Sequence, residues 1–241
     1  MAAVNWEALR RALGTDPDGF PTDVLIRAPS WFTGQVDLLV EAVRCTAGGA
    51  SLKRCQSILS EIRSRELQDW YIGVGQWSGT YRASVRNVPK PPTSGGADYP
   101  RQLRYALLER DGFRCRYCGS RVVCLDELKV AAKLLEVPEL VSGRANRARH
   151  GIRLIVQATF DHVIPAARFK GEGVNNMTNL VTSCWSCNFG KAHFTLEELG
   201  LTDPRERVSI ADSEWNGLVY LRQLRKITKR SEMGGPSRET A

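Results

Sequence analysis

Four cysteines form two Cys-x-x-Cys pairs in the second half of the sequence. Cys115 and Cys118 are the first pair, and Cys184 and Cys187 are the second. Two intervening residues make a tight turn that directs both sulfurs to one ion, and two such turns supply the four thiolates that tetrahedral zinc prefers. Four protein ligands leave no position for water, so we predict a structural Zn²⁺ site. Free or disulfide-bonded cysteines are the alternative. Cys124 lies near the first pair, and we exclude it from the ligand set.

Between and beside these pairs lie residues that could hydrolyse a phosphodiester. Asp161 and His162 end an apolar stretch, and Asn179 and Asn188 flank the second cysteine pair. Histidine can accept a proton from water near neutral pH. Carboxylate and amide oxygens are hard ligands that suit Mg²⁺ or Mn²⁺. Phosphodiester hydrolysis needs an activated water and compensation of charge on the phosphate, and these residue types can supply both.

The order of these motifs resembles that of the HNH endonuclease family. The residues that carry the resemblance are Glu109–Cys115 (ERDGFRC), Asp161–Pro165 (DHVIP) and Asn179–Lys191 (NLVTSCWSCNFGK). The resemblance covers about residues 100–200. It implies a zinc-stapled ββα-metal fold and a metal-dependent endonuclease that cuts DNA to leave 5′-phosphate and 3′-hydroxyl ends.

The resemblance also implies a role for each residue of the site. His162 is the general base, Asp161 and Asn188 bind one catalytic Mg²⁺ or Mn²⁺, and Asn179 orients the histidine loop. Lys191 is expected near the phosphate. The third family position is often histidine, so Asn188 makes this chain an HNN variant, in which soft metal ions are less favoured. His193 follows closely, and we expect it at the surface.

The charge distribution favours a polyanionic partner. Residues 1–99 carry 11 basic and 10 acidic side chains, whereas residues 100–241 carry 23 and 16. A basic domain attracts nucleic acid through counterion release. DNA is therefore the expected partner, and RNA stays open. The side chains that we expect to contact nucleic acid are Arg168 and Lys170 beside the histidine loop, Lys191, and Arg144, Arg147 and Arg149 in a basic segment. A solvated loop is the alternative for that basic segment.

The predicted fold class is α+β, with a helical N-terminal domain followed by a zinc-stapled ββα-metal (HNH) nuclease domain. The nuclease domain spans residues 100–204 and includes an insertion at 119–153. We predict helices over residues 100–111 and 125–136 and a strand over 152–160. Residues 205–241 are predicted to form a C-terminal helix, at 205–228, and a flexible tail.

The first 88 residues carry no catalytic motif. Apolar residues at helical spacing predict mainly helices up to residue 70, and an aromatic, glycine-rich run at 70–81 suggests a hairpin. Cys45 and Cys55 are expected to be buried hydrophobic residues. Residues 89–99 are rich in Pro, Gly and Ser and predict a linker. This domain could bind a protein partner or self-associate.

Several classes of protein fit the sequence poorly. No apolar stretch reaches the roughly 18 residues of a membrane span, and the N-terminus lacks the apolar region of a secretory signal. We therefore expect a cytoplasmic protein with no membrane partner. No histidine begins the His-x-Glu motif of a zinc deaminase. The main alternative to a nuclease is a zinc ribbon that binds nucleic acid without cutting it. Phage defence or restriction, a mobile element or a phage would each fit a nuclease of this kind.

Overall fold

The N-terminal part of the chain folds into short helices. The structure is a computed structural model that describes residues 4–13, 19–93, 99–169, 174–207 and 215–221. The helices of the first half are α1 (Trp6–Leu13), α2 (Phe32–Ala47), α3 (Leu52–Ser60), α4 (Ser64–Trp70), a π-helical turn (Tyr71–Gly75) and α5 (Ser78–Val85). The helices predicted before residue 70 are thus present. The apolar face of α2 is also confirmed, since Val36, Leu39 and Val43 are buried.

The second half combines helices with one antiparallel strand pair. Its elements are α6 (Arg101–Arg110), α7 (Leu125–Leu134), α8 (Gly151–Val156), β1 (Ala158–His162), β2 (Leu180–Cys184), α9 (Trp185–Lys191) and α10 (Leu196–Leu199). In the β1–β2 pair, Ala158 faces Cys184 and His162 faces Leu180. The helix-rich composition with a small sheet agrees with the predicted α+β class.

Two local predictions are wrong. Residues 70–81 are helical rather than a hairpin, because Gly75 and Gly79 serve close packing instead of a turn. Gly151–Val156 is the helix α8, and only the end of the predicted strand is extended. A largely apolar run is buried in either conformation, so its pattern cannot separate the two. Of the helix predicted at 205–228, residues 205–207 and 217–220 form turns or a bend and Leu221 is helical, and its other residues lie largely outside the described ranges.

One continuous apolar cluster joins the two halves of the chain. It contains Leu39 of α2 and Leu67 of α4 together with Leu128 of α7, Ile155 of α8 and Cys187 of α9. The boundary that we place at residues 89–99 stays a prediction, and its residues 94–98 lie outside the described part. No helix of the described ranges has the length and apolar character needed to cross a membrane.

The N-terminal helices support α9 directly through two glycines. A Cβ atom at Gly79 in α5 would lie 1.9 Å from the carbonyl oxygen of Gly190 in α9. A Cβ atom at Gly190 would lie 2.4 Å from the hydroxyl oxygen of Ser78. Both distances are far below van der Waals contact, so this helix crossing requires glycine on each side. Because α9 also carries Asn188, the N-terminal helices hold a candidate site residue in place.

Replacing Gly79 with alanine is therefore expected to destabilise the protein. Gly79→Ala forces a backbone clash in a packed interface, and overpacking of this kind costs about 1–3 kcal/mol or more. The melting temperature should fall by several degrees. Gly34→Ala is the matched control, because Gly34 lies exposed in α2 with nothing within 4 Å of an added Cβ. The control should be neutral or gain up to about 1 kcal/mol. Equal melting temperatures for the two variants would contradict the close crossing.

Candidate active site

The four cysteines of the two Cys-x-x-Cys pairs converge on one point. Their sulfur ligand atoms all lie within 4.8 Å of one another, and no other group of this kind is found among the described residues. Cys115 and Cys118 follow α6, whereas Cys184 ends β2 and Cys187 lies in the first turn of α9. The backbone N–H of Cys187 donates to the sulfur of Cys184 at 3.4 Å, as expected for a tight metal-binding turn. The cluster fits a tetrahedral zinc site.

The ionisation of these thiols is mutually dependent. Hydrogen bonds from neighbouring cysteines, led by Cys115, lower the pKa of Cys118 well below its usual range. The bond with Cys115 raises the pKa of Cys184, and burial raises that of Cys187. Buried sulfurs this close cannot all carry negative charge unless a cation compensates them. A divalent ion supplies that compensation, which is why such sites bind metal and release protons.

A cleft of about 530 Å³ lies beside this cluster. Asp161 and His162 of β1, Asn188 of α9, and His193 beyond α9 all line it. Adjacent residues of a regular strand point to opposite faces. Here His162 is the last residue of β1, where the chain leaves the strand, and both side chains reach the same cleft. The sequence-predicted acid, base and amide are therefore brought together.

Asp161 is buried, and its Oδ2 atom accepts one hydrogen bond and takes part in one ion pair. The hydroxyl of Tyr117 donates to Oδ2 at 2.6 Å, and the ammonium of Lys191 lies 3.1 Å from Oδ2. Burial and the Asp161 carboxylate raise the pKa of Tyr117 well above its usual range, so the phenol stays a donor. Among the described residues, no hydrogen-bond donor reaches Oδ1.

His162 is held through its ring and through the loop that follows it. Its Nε2 atom lies 2.7 Å from Oδ1 of Asn175. In the tautomer protonated at Nε2, this nitrogen donates to the amide oxygen of Asn175, and Nδ1 is the nitrogen that can accept a proton. The ring centroid of Tyr99 lies 5.9 Å from that of His162. Burial raises the pKa of Tyr99 to about 12, which keeps this wall of the cleft uncharged.

Asn179 is buried and fastens the loop that follows His162. Its Oδ1 accepts from the backbone N–H of Ile164 at 2.9 Å, and its Nδ2 donates to the carbonyl oxygens of Ile164 and Val174 at 3.1 and 3.2 Å. Its own carbonyl oxygen accepts from the N–H of Val163 at 2.8 Å. Asn179 thus spans both sides of the loop without entering the cleft.

Asn188 lines the same cleft as Asp161. Its Nδ2 lies 3.5 Å from the carbonyl oxygen of Phe160, a long hydrogen bond that turns the nitrogen toward β1. The amide oxygen is then the atom left for a ligand. One carboxylate oxygen and one amide oxygen in a half-open cleft fit a hard divalent cation such as Mg²⁺ or Mn²⁺, which keeps several waters.

Comparison with known families decides what this arrangement is. Residues 148–194 match the family model described as HNH endonuclease. These residues form an HNH endonuclease domain. The match contains β1, β2 and α9, and with them all four predicted catalytic residues. Comparisons with curated proteins and with solved structures found no match.

Lys191 of the HNH domain is not where the sequence predicts it. Its side chain is fully buried, with the ammonium bonded to Asp161 and, at 2.8 Å, to the carbonyl oxygen of His162. A phosphate contact is therefore wrong for this conformation. Lysine is usually exposed unless it is paired, and the carboxylate of Asp161 provides that pairing.

The other predicted nucleic-acid contacts lie in different environments. Arg144 and Arg147 are exposed, whereas Arg149 is half-buried with its guanidinium 4.4 Å from the ring centroid of Trp185. The basic segment is anchored, since the amide of Gln68 in α4 donates to its carbonyl oxygens at 2.9–3.4 Å. Arg168 pairs with Glu198 at 2.8 Å. Lys170 lies outside the described residues.

Sequence patterns did not reveal four residues that the structure places at the site. Tyr117 contacts Asp161, Asn175 contacts His162, and Phe189 lines the cleft while 47% exposed. His193, expected at the surface, is half-buried in the cleft lining, and burial and Lys191 lower its pKa. Tyr117 lies inside a zinc-binding turn, and Phe189 and His193 lie in or beside the second cysteine motif, whereas Asn175 belongs to no motif.

Proposed function

We propose that this protein is a metal-dependent endonuclease that hydrolyses DNA phosphodiester bonds. The observation that carries the proposal is the meeting of Asp161, His162 and Asn188 in one cleft beside a four-cysteine zinc site. The HNH domain indicates nuclease chemistry in general. A protein that only binds nucleic acid has no need for a basic histidine beside two hard oxygen ligands.

Each side chain of the site has its own role in hydrolysis. Nδ1 of His162 accepts the proton of the attacking water, and Asn179 keeps the histidine loop at a fixed position. Oδ1 of Asp161 and the amide oxygen of Asn188 would hold one Mg²⁺ or Mn²⁺. Such an ion compensates the charge that develops on the phosphate and on the leaving oxygen. The four cysteines would hold a structural zinc that takes no part in the reaction.

Substrate binding is assigned to the basic and aromatic surface near the cleft. Arg144 and Arg147 are exposed on the anchored basic segment, and Arg149 stacks on Trp185. Trp185 also contacts the exposed ring of Phe189 at a centroid distance of 5.8 Å. Guanidinium groups can pair with phosphates, and an exposed aromatic ring can stack on a base. Arg168 and Lys170 are proposed as further phosphate contacts.

The cellular location and biological role that we propose are those expected from the sequence. We propose a cytoplasmic enzyme of phage defence or restriction, a mobile element or a phage. The N-terminal helices are proposed to recognise a protein partner or a second copy of the chain, in addition to supporting α9.

Cleavage in a series of divalent ions tests the proposal. Zinc-loaded protein should cut supercoiled plasmid DNA with Mg²⁺ or Mn²⁺ and should be inactive in a chelator too weak to remove the structural zinc. Adding Mg²⁺ back should restore cleavage. The alternative zinc ribbon predicts salt-dependent DNA binding and intact plasmid with every ion tested. That second result would overturn the nuclease proposal.

A further inference from the structure

Two residues near the zinc-binding cysteines contact Asp161, Tyr117 through a hydrogen bond and Lys191 through an ion pair. Tyr117 lies inside the first turn, between Cys115 and Cys118, and Lys191 lies one helical turn beyond Cys187. Tyr117 is 2% exposed and the Lys191 side chain is completely buried. Sequence positions 44 and 30 residues away from Asp161 thus meet at a single carboxylate oxygen. Nothing in the HNH match itself includes Tyr117, which precedes residue 148.

We propose that Tyr117 and Lys191 are positioning residues through which the zinc site holds Asp161 as a one-oxygen ligand of the catalytic metal. The inference rests on the proposed function, because it concerns the metal-binding role of Asp161. The Tyr117 hydroxyl and the Lys191 ammonium both contact Oδ2, at 2.6 and 3.1 Å, whereas no donor of the described residues forms a hydrogen bond to Oδ1, which is thus left for the metal. A carboxylate whose second oxygen is occupied in this way cannot bind a cation with both oxygens.

Lys191 also contacts the backbone of His162, the proposed general base. Its ammonium also donates to the carbonyl oxygen of His162 at 2.8 Å. One buried side chain therefore contacts the proposed metal ligand and the backbone of the proposed base. Groups that bond to metal ligands commonly change metal affinity or activity by 10- to 100-fold when they are removed.

One-oxygen binding has a consequence for metal selectivity. Mg²⁺ demands a near-ideal octahedron of ligands at short distance, whereas Ca²⁺ accepts carboxylates that bind through both oxygens. Releasing Oδ2 allows two-oxygen binding, which favours Ca²⁺ over Mg²⁺. Loss of the Lys191 charge would strengthen binding of every divalent ion. This common effect cancels in the ratio of the Ca²⁺ and Mg²⁺ affinities. The ratio therefore depends only on how the Asp161 carboxylate binds the ion.

The test measures metal binding by zinc-loaded, full-length Tyr117→Phe. Electron paramagnetic resonance of bound Mn²⁺, with Mg²⁺ and Ca²⁺ as competitors, gives the affinities without using cleavage. We expect the Ca²⁺/Mg²⁺ affinity ratio to rise about tenfold. Tyr105→Phe is the matched control, since the Tyr105 hydroxyl donates to the buried carboxylate of Glu127 at 3.0 Å, outside the cleft lining. Its ratio should equal that of the wild type.

Lys191→Met is the second variant and should raise the ratio in the same direction, even if Tyr117→Phe fails to fold. An unchanged ratio in the folded variants, with a wild type that binds Mn²⁺ and cuts DNA, would overturn this inference alone. A wild type that neither binds Mn²⁺ beyond its zinc nor cuts DNA would overturn the proposed function and this inference with it.

Discussion

Cys187→Ser is expected to lose its zinc and much of its stability. Cys187 is completely buried in the four-cysteine cluster, and its helix α9 packs against β1 and α5. Structural zinc sites contribute on the order of 10 kcal/mol to folding. For a chain of this size, 1 kcal/mol corresponds to roughly 2–4 °C in melting temperature. We therefore expect the melting temperature to fall by more than about 10 °C. A strong chelator should have the same effect on the wild type.

Cys124→Ser is the control for this prediction. Cys124 is also buried, yet it lies outside the cluster and precedes α7, where serine is a favourable helix cap. The control should keep one zinc per chain and melt close to the wild type. Metal analysis and thermal unfolding by circular dichroism check both variants. Full zinc content in Cys187→Ser, or an unchanged melting temperature after chelation, would contradict a structural zinc at these cysteines.

The zinc site was the part of the protein most open to sequence interpretation. A Cys-x-x-Cys turn is local, so the spacing of Cys115 and Cys118 already determines where their sulfurs point. Two such turns predict one shared ion, and the four sulfurs meet as expected. The family resemblance covers about residues 100–200, and the HNH match confirms it for residues 148–194.

The contacts inside the candidate active site were harder to predict from the sequence. The contact between Tyr117 and Asp161 depends on how the first zinc-binding turn docks on β1, and no local pattern encodes that docking. The family resemblance implied a position near the phosphate for Lys191. The structure buries it against Asp161 instead. The contacts of Tyr117 and Lys191 with Asp161 can be recognised only when the fold has brought distant segments together.

The packing of the N-terminal helices was also beyond what sequence patterns could predict. Glycines in the run at 70–81 suggested turns, yet Gly79 serves a close contact with Gly190, 111 positions away in sequence. Helical periodicity identified α2 because the apolar face of one helix is a local property. Which partner covers that face is decided by the whole fold, so periodicity could not show that these helices support the nuclease domain.

The general-base role of His162 is the central claim, and a single substitution tests it. Removing a general base typically costs 10²- to 10⁴-fold in rate. His162 is partly exposed at the end of β1, so His162→Ala should leave the zinc content, melting temperature and DNA binding close to those of the wild type. His150→Ala offers a control at another histidine, outside the cleft lining, and should retain activity.

The most direct measurement is the rate of plasmid cleavage in Mg²⁺ by zinc-loaded wild type, His162→Ala and His150→Ala, with enzyme in excess over DNA. We expect cleavage by the wild type and by His150→Ala, and a rate at least about 100-fold lower for His162→Ala, which should still bind DNA. Equal rates for the wild type and His162→Ala would contradict the general-base role of His162.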